Sequence, residues 1–131
     1  MAKAEGKIFT FESQDKIRND FLEVFPYKGE KQLIEYTTKE FSAVCPFSGL
    51  PDYGTLTVRY IPDEKCLELK SYKYYLVSFR TIGIFQEAAT DRIFTDLKKI
   101  LVPNYLFVET IYNTRGGIDS KCQMKLGEIT Y

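Results

Sequence analysis

Thr55–Arg80 reads TLTVRYIPDEKCLELKSYKYYLVSFR, and the hydrophobic period changes inside it. From Thr55 to Ile61 apolar and polar residues alternate, with Leu56, Val58 and Tyr60 on one side, the period of a strand with one buried face. Pro62 and Asp63 end that run. From Leu67 to Arg80 the apolar positions Leu69, Tyr72, Leu76 and Phe79 recur three and four apart and share one face of a helix. Working outward, Lys31–Val44 is rich in Ile, Tyr, Thr, Phe and Val, with period two at Ile34, Tyr36 and Thr38, and predicts a long strand. Cys45–Asp52, CPFSGLPD, is dense in turn formers and predicts a loop. Downstream, Gly83 marks a break. A second helix follows from Phe85 or Gln86 to Leu101, with Ala89, Ile93, Leu97 and Ile100/Leu101 inward. Lys98 and Lys99 fall in its last turn and Pro103 comes after it. Tyr105–Tyr112 alternates again, Thr114–Gly117 is a loop, and Ile118–Leu126 is a final strand.

The predicted order is β-β-α-α-β-β, an α+β domain in which two hairpins make a four-stranded antiparallel sheet with both helices on one face. Such a sheet has two open edges, and closure by oligomerisation into a barrel would cover them. Residues 1–29 are polar and mixed, with a short helical segment near Lys16–Glu23 and a break at Pro26 and Gly29. They read as an N-terminal extension packing on or between subunits, with the domain proper at 30–131.

The 131 residues suit one domain with a real core. A hydrophobic content of 44% with 15% aromatics argues for a globular chain. Eighteen basic and eighteen acidic residues cancel, so nothing global favours nucleic acid or an anionic membrane, and a phosphate-bearing partner needs a local basic cluster. No apolar run approaches membrane-spanning length and MAKAEGKIF has no uninterrupted apolar core, so the default expectation is a cytoplasmic protein. Cys45, Cys66 and Cys122 are odd in number and widely spaced, which suggests neither a disulfide framework nor a zinc knuckle. The chain has no histidine. That excludes His-ligated zinc, Ser-His-Asp triads and any imidazole base, leaving Cys, Asp, Glu, Lys and Tyr to carry chemistry.

Cys45 lies just past a strand and before Pro46. It reads either as a small buried hydrophobe or as an accessible nucleophile. Asp52 closes the same loop, as an Asx-turn residue or as a carboxylate brought across to the sulfur. Lys70, Ser71 and Lys73 crowd the start of a helix, where cations oppose the dipole. Such a cluster is a solvated basic face, or it meets an anion, with backbone N–H groups, a hydroxyl and two ammoniums cradling phosphates. Arg115, beside two glycines, would add a phosphate contact. Glu87 opens the second helix, as a dipole partner or as a fixed carboxylate accepting two N–H bonds from a guanine-like edge.

Taken together, Cys45-Pro46, Gly49, Pro51-Asp52, the run Glu68-Leu69-Lys70-Ser71-Tyr72-Lys73-Tyr74-Tyr75, Phe85-Gln86-Glu87 and Arg115-Gly116-Gly117 resemble the single-domain 7-cyano-7-deazaguanine reductases of queuosine biosynthesis, over roughly residues 30 to 120. The resemblance implies a tunnelling fold in which sheets join into a barrel, as a homodecamer of two stacked pentamers with sites between subunits and no direct nucleic-acid partner. It implies NADPH-dependent, four-electron reduction of a nitrile. Cys45 would attack the nitrile carbon to give a thioimide and Asp52 would protonate the nitrogen. Lys70, Ser71, Lys73 and Arg115 would hold the cofactor phosphates. Glu87 would take the substrate's pyrimidine edge, with Gln86, Glu68 and Phe85 completing the substrate contacts. The family usually carries histidine before the glutamate, where this chain has Gln86, which donates a hydrogen bond but does not relay a proton at neutral pH. Zinc-dependent relatives on the same fold need histidine ligands that are absent. Two rivals stay open: an archaeosine-type relative that adds ammonia to the nitrile, and a non-catalytic deazapurine- or pterin-binding module.

Overall fold

A computed structural model describes residues 2–130. Six strands and two helices run in the order β1 (Val24–Pro26), β2 (Ile34–Val44), β3 (Pro51–Ile61), β4 (Lys65–Leu67), α1 (Leu69–Val77), α2 (Gln86–Leu101), β5 (Tyr105–Arg115) and β6 (Ile118–Leu126). The main sheet is antiparallel throughout, in the order β2-β3-β5-β6, and β1 pairs with β4 in a separate two-stranded ribbon. The predicted α+β architecture is present, with both helices on one face of the sheet. Leu56, Val58 and Tyr60 are fully buried there with Val108, Tyr75, Phe79, Ile93 and Leu97. Among the described residues no helix is long and apolar enough to cross a membrane.

Several local expectations need correction. The segment near Lys16–Glu23 is no helix but two single turns of 3-10 helix, Gln14–Lys16 and Asn19–Phe21, followed by β1. Ile17 and Leu22 from this region bury in the core with the helices. Strands β1 and β4, three residues each, are too short to show a period. In α1 the buried positions are Ser71, Tyr72 and Tyr75, while Leu69 is 53% exposed. Tyr72 and Phe79 of the expected stripe are buried and Leu76 packs against the core, but Tyr75 takes the inward place expected of Leu69. Helix α1 also ends at Val77, short of Arg80.

Two irregularities in the ladders set which side chains face the helices. The β2–β3 register shifts between Thr38 and Phe41, so the inward set changes from Ile34, Tyr36 and Thr38 to Phe41 and Ala43. The β5–β6 register shifts between Tyr112 and Arg115. An extra residue there reverses the alternation and turns Arg115 onto the face that carries Tyr112. Gly116 and Gly117, both at positive φ, close this hairpin with the two-residue turn that matches strand twist.

Buried polar groups tie the layers together. Tyr75 Oη and Arg92 Nε donate to Asp96 Oδ2 at 2.6 and 2.8 Å, and Asn19 Nδ2 donates to Asp96 Oδ1 at 3.4 Å. One carboxylate thus joins α1, α2 and the N-terminal region, its charge balanced by the Arg92 guanidinium.

Candidate active site

Cys45 follows β2 in a tight turn. Its N–H donates to Leu50 O at 2.8 Å and its carbonyl accepts from Gly49 N–H at 2.8 Å. Gly49 has φ +74, and a Cβ there would stand 2.1 Å from the Phe9 carbonyl oxygen, so the turn needs glycine on both counts. Residues 9–12 strap over this turn: Phe9 N–H donates to Ser48 O at 2.8 Å, and Glu12 exchanges backbone bonds with Thr81 and Gly83. The thiol is partly exposed. The Ser48 N–H, then the Phe47 N–H and the Ser48 hydroxyl, hold its thiolate and pull it below the ordinary thiol value of 9.0, against burial and the negative charge of Asp52. Cys66 is the contrast, a buried thiol that burial pushes up despite a bond to the Tyr60 hydroxyl.

Asp52 was expected in the loop and lies instead inside β3, opposite Ala43, on the inward face and 9% exposed. Its Oδ1 accepts from Arg115 Nη1, a guanidinium that is 59% exposed at the hairpin end. Arg115 therefore sits on the candidate acid and not with Lys70 and Lys73.

Helix α2 brings the next group. Val44 N–H donates to Ile82 O at 2.9 Å and Ile84 N–H donates to Val44 O at 3.1 Å, which pins the start of α2 beside the Cys45 turn. Phe85 precedes the helix, half exposed, with its ring edge on to exposed Phe47 at a centroid distance of 5.5 Å. Gln86 is engaged at both ends of its amide. Its Nε2 donates to Thr110 O at 3.0 Å and its Oε1 accepts from Ser120 Oγ at 2.6 Å. Glu87 is exposed in the first turn, with no hydrogen bond or ion pair among the described residues. Cys45, Asp52, Arg115, Phe85, Gln86 and Glu87 thus converge on one end of the sheet.

Glu68, Lys70, Ser71 and Lys73 do not join them. They lie at the start of α1, next to β4, whose Leu67 N–H donates to Tyr60 Oη at 2.9 Å. From Asp52 to Tyr60 strand β3 runs about 26 Å. The expected phosphate cradle of open backbone N–H groups is also absent: Glu68 is the N-cap of α1, accepting from Ser71 N–H at 2.8 Å and Lys70 N–H at 3.1 Å. Ser71 is buried, its Oγ donating to Glu68 O at 2.7 Å and accepting from Glu23 N–H at 3.0 Å. What faces solvent is a groove of about 770 Å³ between α1 and β2, lined by Tyr36, Phe41, Lys70, Tyr72, Lys73 and Arg80 among others. Lys70, Lys73 and Arg80 have no ion-pair partner among the described residues.

Three functional candidates escaped the sequence reading. Ser48 stood in plain sight within CPFSG as the only hydroxyl in the turn. Phe47 shows itself through exposure alone. Tyr112 ends the inward series Leu106, Val108, Thr110, a hydroxyl on an otherwise closing face, yet alternation by itself marks it only as core.

The antiparallel sheet, its two helices on one face and the thiol turn at its end define a tunnelling-fold protein. The crystal structure of the archaeosine synthase QueF-Like in the apo form is similar in fold, with a TM-score of 0.67 at 23% identity, covering 75% of this chain and 96% of that one. The family described as QueF-like protein matches residues 51–130. The NADPH-dependent 7-cyano-7-deazaguanine reductase of Thermotoga petrophila is 55% identical over 125 residues, 95% of this chain and 91% of the relative. Those of Caldicellulosiruptor bescii, 46% identical over 121 residues (91% of this chain, 92% of the relative), and Chlorobaculum tepidum, 47% over 104 (78% and 89%), are also similar. The chain belongs to the family of NADPH-dependent 7-cyano-7-deazaguanine reductases.

Proposed function

We propose that this protein reduces the nitrile of 7-cyano-7-deazaguanine to the aminomethyl group with NADPH, through a thioimide on Cys45, as a step of queuosine tRNA modification. The observation that carries the reading is the partly exposed Cys45 thiol, held by the Ser48 and Phe47 N–H groups with Asp52 close enough for its charge to act on the sulfur. A sulfur activated in this way is a strong nucleophile and a good leaving group. The ionised Asp52 carboxylate takes the proton of the Cys45 thiol, the sulfur adds to the nitrile carbon, one C–N π pair becomes a lone pair on nitrogen, and Asp52 hands that proton to it. After the first reduction the C–S bond breaks, Cys45 leaves as thiolate, and the resulting imine accepts the second. Arg115 fixes the Asp52 carboxylate throughout, and exposed Glu87 takes the N–H edge of the ring beside the Phe47–Phe85 pair. Gln86, spent on Thr110 and Ser120, sets the position of the α2 start.

The residues present fit NADPH. The groove along α1 offers the Lys70 and Lys73 ammoniums and the Arg80 guanidinium for phosphates beside apolar Phe41, Leu76 and Val77, with Glu35 and Glu40 on the β2 wall. The Tyr72 hydroxyl in its lining is buried without a partner, as a wall awaiting a polar ligand would be. NADPH bound there supplies two hydrides in succession. Within one chain this groove begins at the far end of the sheet from Cys45, and strands β2 and β6 are open edges. Both features support a site completed between copies, by edge pairing into a barrel and the stacked pentamers of a homodecamer, with residues 9–29 strapped to the same body. A cytoplasmic location without direct nucleic-acid contact suits a reductase of a free base.

The test is NADPH oxidation with and without 7-cyano-7-deazaguanine, alongside intact mass of the protein. Oxidation that depends on the nitrile, with a Cys45 adduct trapped when NADPH is withheld, is the expected result. An adduct without oxidation, converted on adding ammonia, would replace the reductase by an amidine-forming enzyme; neither signal would leave a binding module.

A further inference from the structure

Tyr112 carries one of two side-chain hydroxyls that are buried without a hydrogen-bond partner among the described residues. The residue is 6% exposed and pairs with Gly54 on one side and Ser120 on the other. Because Gly54 has no side chain, the Tyr112 ring lies across it. A Cβ at Gly54 would stand 2.7 Å from Tyr112 Cδ1. On the far side is Phe41, at a centroid distance of 6.4 Å. Asp52 is two residues along β3 from Gly54 and so points to the same face. Beyond burial, Asp52, then Cys122 and Glu87, oppose ionisation of Tyr112, and the Arg115 charge eases it, so the Asp52–Arg115 pair acts on this hydroxyl. Burial is the larger influence and keeps the phenol protonated, a donor and never a base.

An orphaned buried hydroxyl is costly unless something uses it. Asp52 matches it: Arg115 occupies Oδ1, and Oδ2 accepts from no protein donor among the described residues. The geometry points to Tyr112 as the positioning residue for Asp52, its O–H donating to the carboxylate oxygen that Arg115 leaves free as Asp52 delivers its proton to the nitrile-derived nitrogen. No proton leaves Tyr112 in this step. The charge left on Asp52 is held by one guanidinium and one neutral hydroxyl in a water-poor corner, where a charge-assisted bond is strong. Gln86 cannot serve, since Thr110 and Ser120 hold its amide.

This rests on the nitrile reading above, and the experiment separates the two. Tyr112→Phe keeps the ring and removes the hydroxyl. The unfolding midpoint should stay unchanged or rise slightly, because no bond is lost in the free protein. Adduct formation with 7-cyano-7-deazaguanine, followed by intact mass under single-turnover conditions, should slow by about ten- to hundredfold, the range of a hydrogen bond to a charged group. At saturating 7-cyano-7-deazaguanine the acid limb of its pH–rate profile should move to higher pH, because in the bound complex the Asp52 carboxylate, which must be ionised to take the Cys45 proton, has lost a donor and holds its proton more tightly. An unchanged rate and profile in Tyr112→Phe, beside an active wild type, overturns the Tyr112 role and leaves the reductase intact. A lower midpoint that accounts for the slower rate overturns it too, by showing a structural bond. A wild type that forms no adduct removes the nitrile reading and this inference with it.

Discussion

Replacing Glu68 by Ala removes the side chain that accepts two backbone N–H bonds at the start of α1, at 2.8 and 3.1 Å. A cap of this kind is worth about 1 kcal/mol, and the negative charge at a helix N-terminus adds roughly 0.5 kcal/mol. The loss should be about 1.5 kcal/mol. For 131 residues the unfolding entropy is about 0.28 kcal/mol/K, which makes this roughly 5 °C in the melting midpoint. Glu68→Asp should recover most of it, because the shorter acid is itself a good N-cap. The same pair of variants distinguishes a cap from a substrate contact. If Glu68 acts as a cap, both variants form the Cys45 adduct at the wild-type rate while folded. Calorimetry or urea titration reads the first quantity and intact mass the second. Equal midpoints for wild type and Glu68→Ala would falsify the cap energetics, and adduct loss in both variants with Glu68→Asp fully stable would show that the carboxylate meets substrate.

The Cys45 thiol should alkylate with a pH midpoint below the ordinary 9.0, and ahead of buried Cys66 at neutral pH. Ser48→Ala should raise that midpoint by removing a donor, while Asp52→Asn should lower it by removing a repelling charge; iodoacetamide rates against pH show the sign of each, and like signs would contradict the arrangement. Gly49→Ala should cost about 2 kcal/mol or more, combining a positive φ with a clash on the Phe9 carbonyl, and should detach the segment around residue 9, checked by limited proteolysis against unfolding. Lys70→Ala with Lys73→Ala should raise KM for NADPH and flatten its salt dependence with adduct formation unchanged. Loss of the adduct would give these ammoniums to the substrate or the fold.

Helix α2 was readable to within a residue at its start and to the residue at its end, because its apolar stripe is sustained along sixteen residues and its last turn is marked by Lys98, Lys99 and Pro103. The long strands were readable for the same reason, a period sustained over many residues. Asp52 was misplaced because Gly49 and Pro51 mark turns locally, whereas its membership of β3 is decided by pairing with Ala43. The Arg115–Asp52 bridge spans 63 positions and depends on an extra residue in a hairpin, which leaves no local mark. The α1 start looked like an open anion cradle because Glu68 was weighed as a ligand and not as the cap of its own helix. Convergence of Cys45, Phe85, Gln86 and Glu87 was legible only through family resemblance. The backbone bonds of Val44 to Ile82 and Ile84 are what bring it about.

The strap at residues 9–12 gives the thiol turn a local stability of its own. It grips through a few backbone hydrogen bonds, and Phe9 and Phe11 remain partly exposed, so it stands at the weakly protected end of the native state. Its opening frees the Ser48 carbonyl and lets the turn around Cys45 breathe while β2 and β3 stay paired. Amide exchange at Phe9, Glu12 and Gly83 should therefore run through small fluctuations, far faster than at Val58 or Val108. The reactivity of the sulfur becomes a property of this latch, adjustable from the N-terminal segment without touching the core.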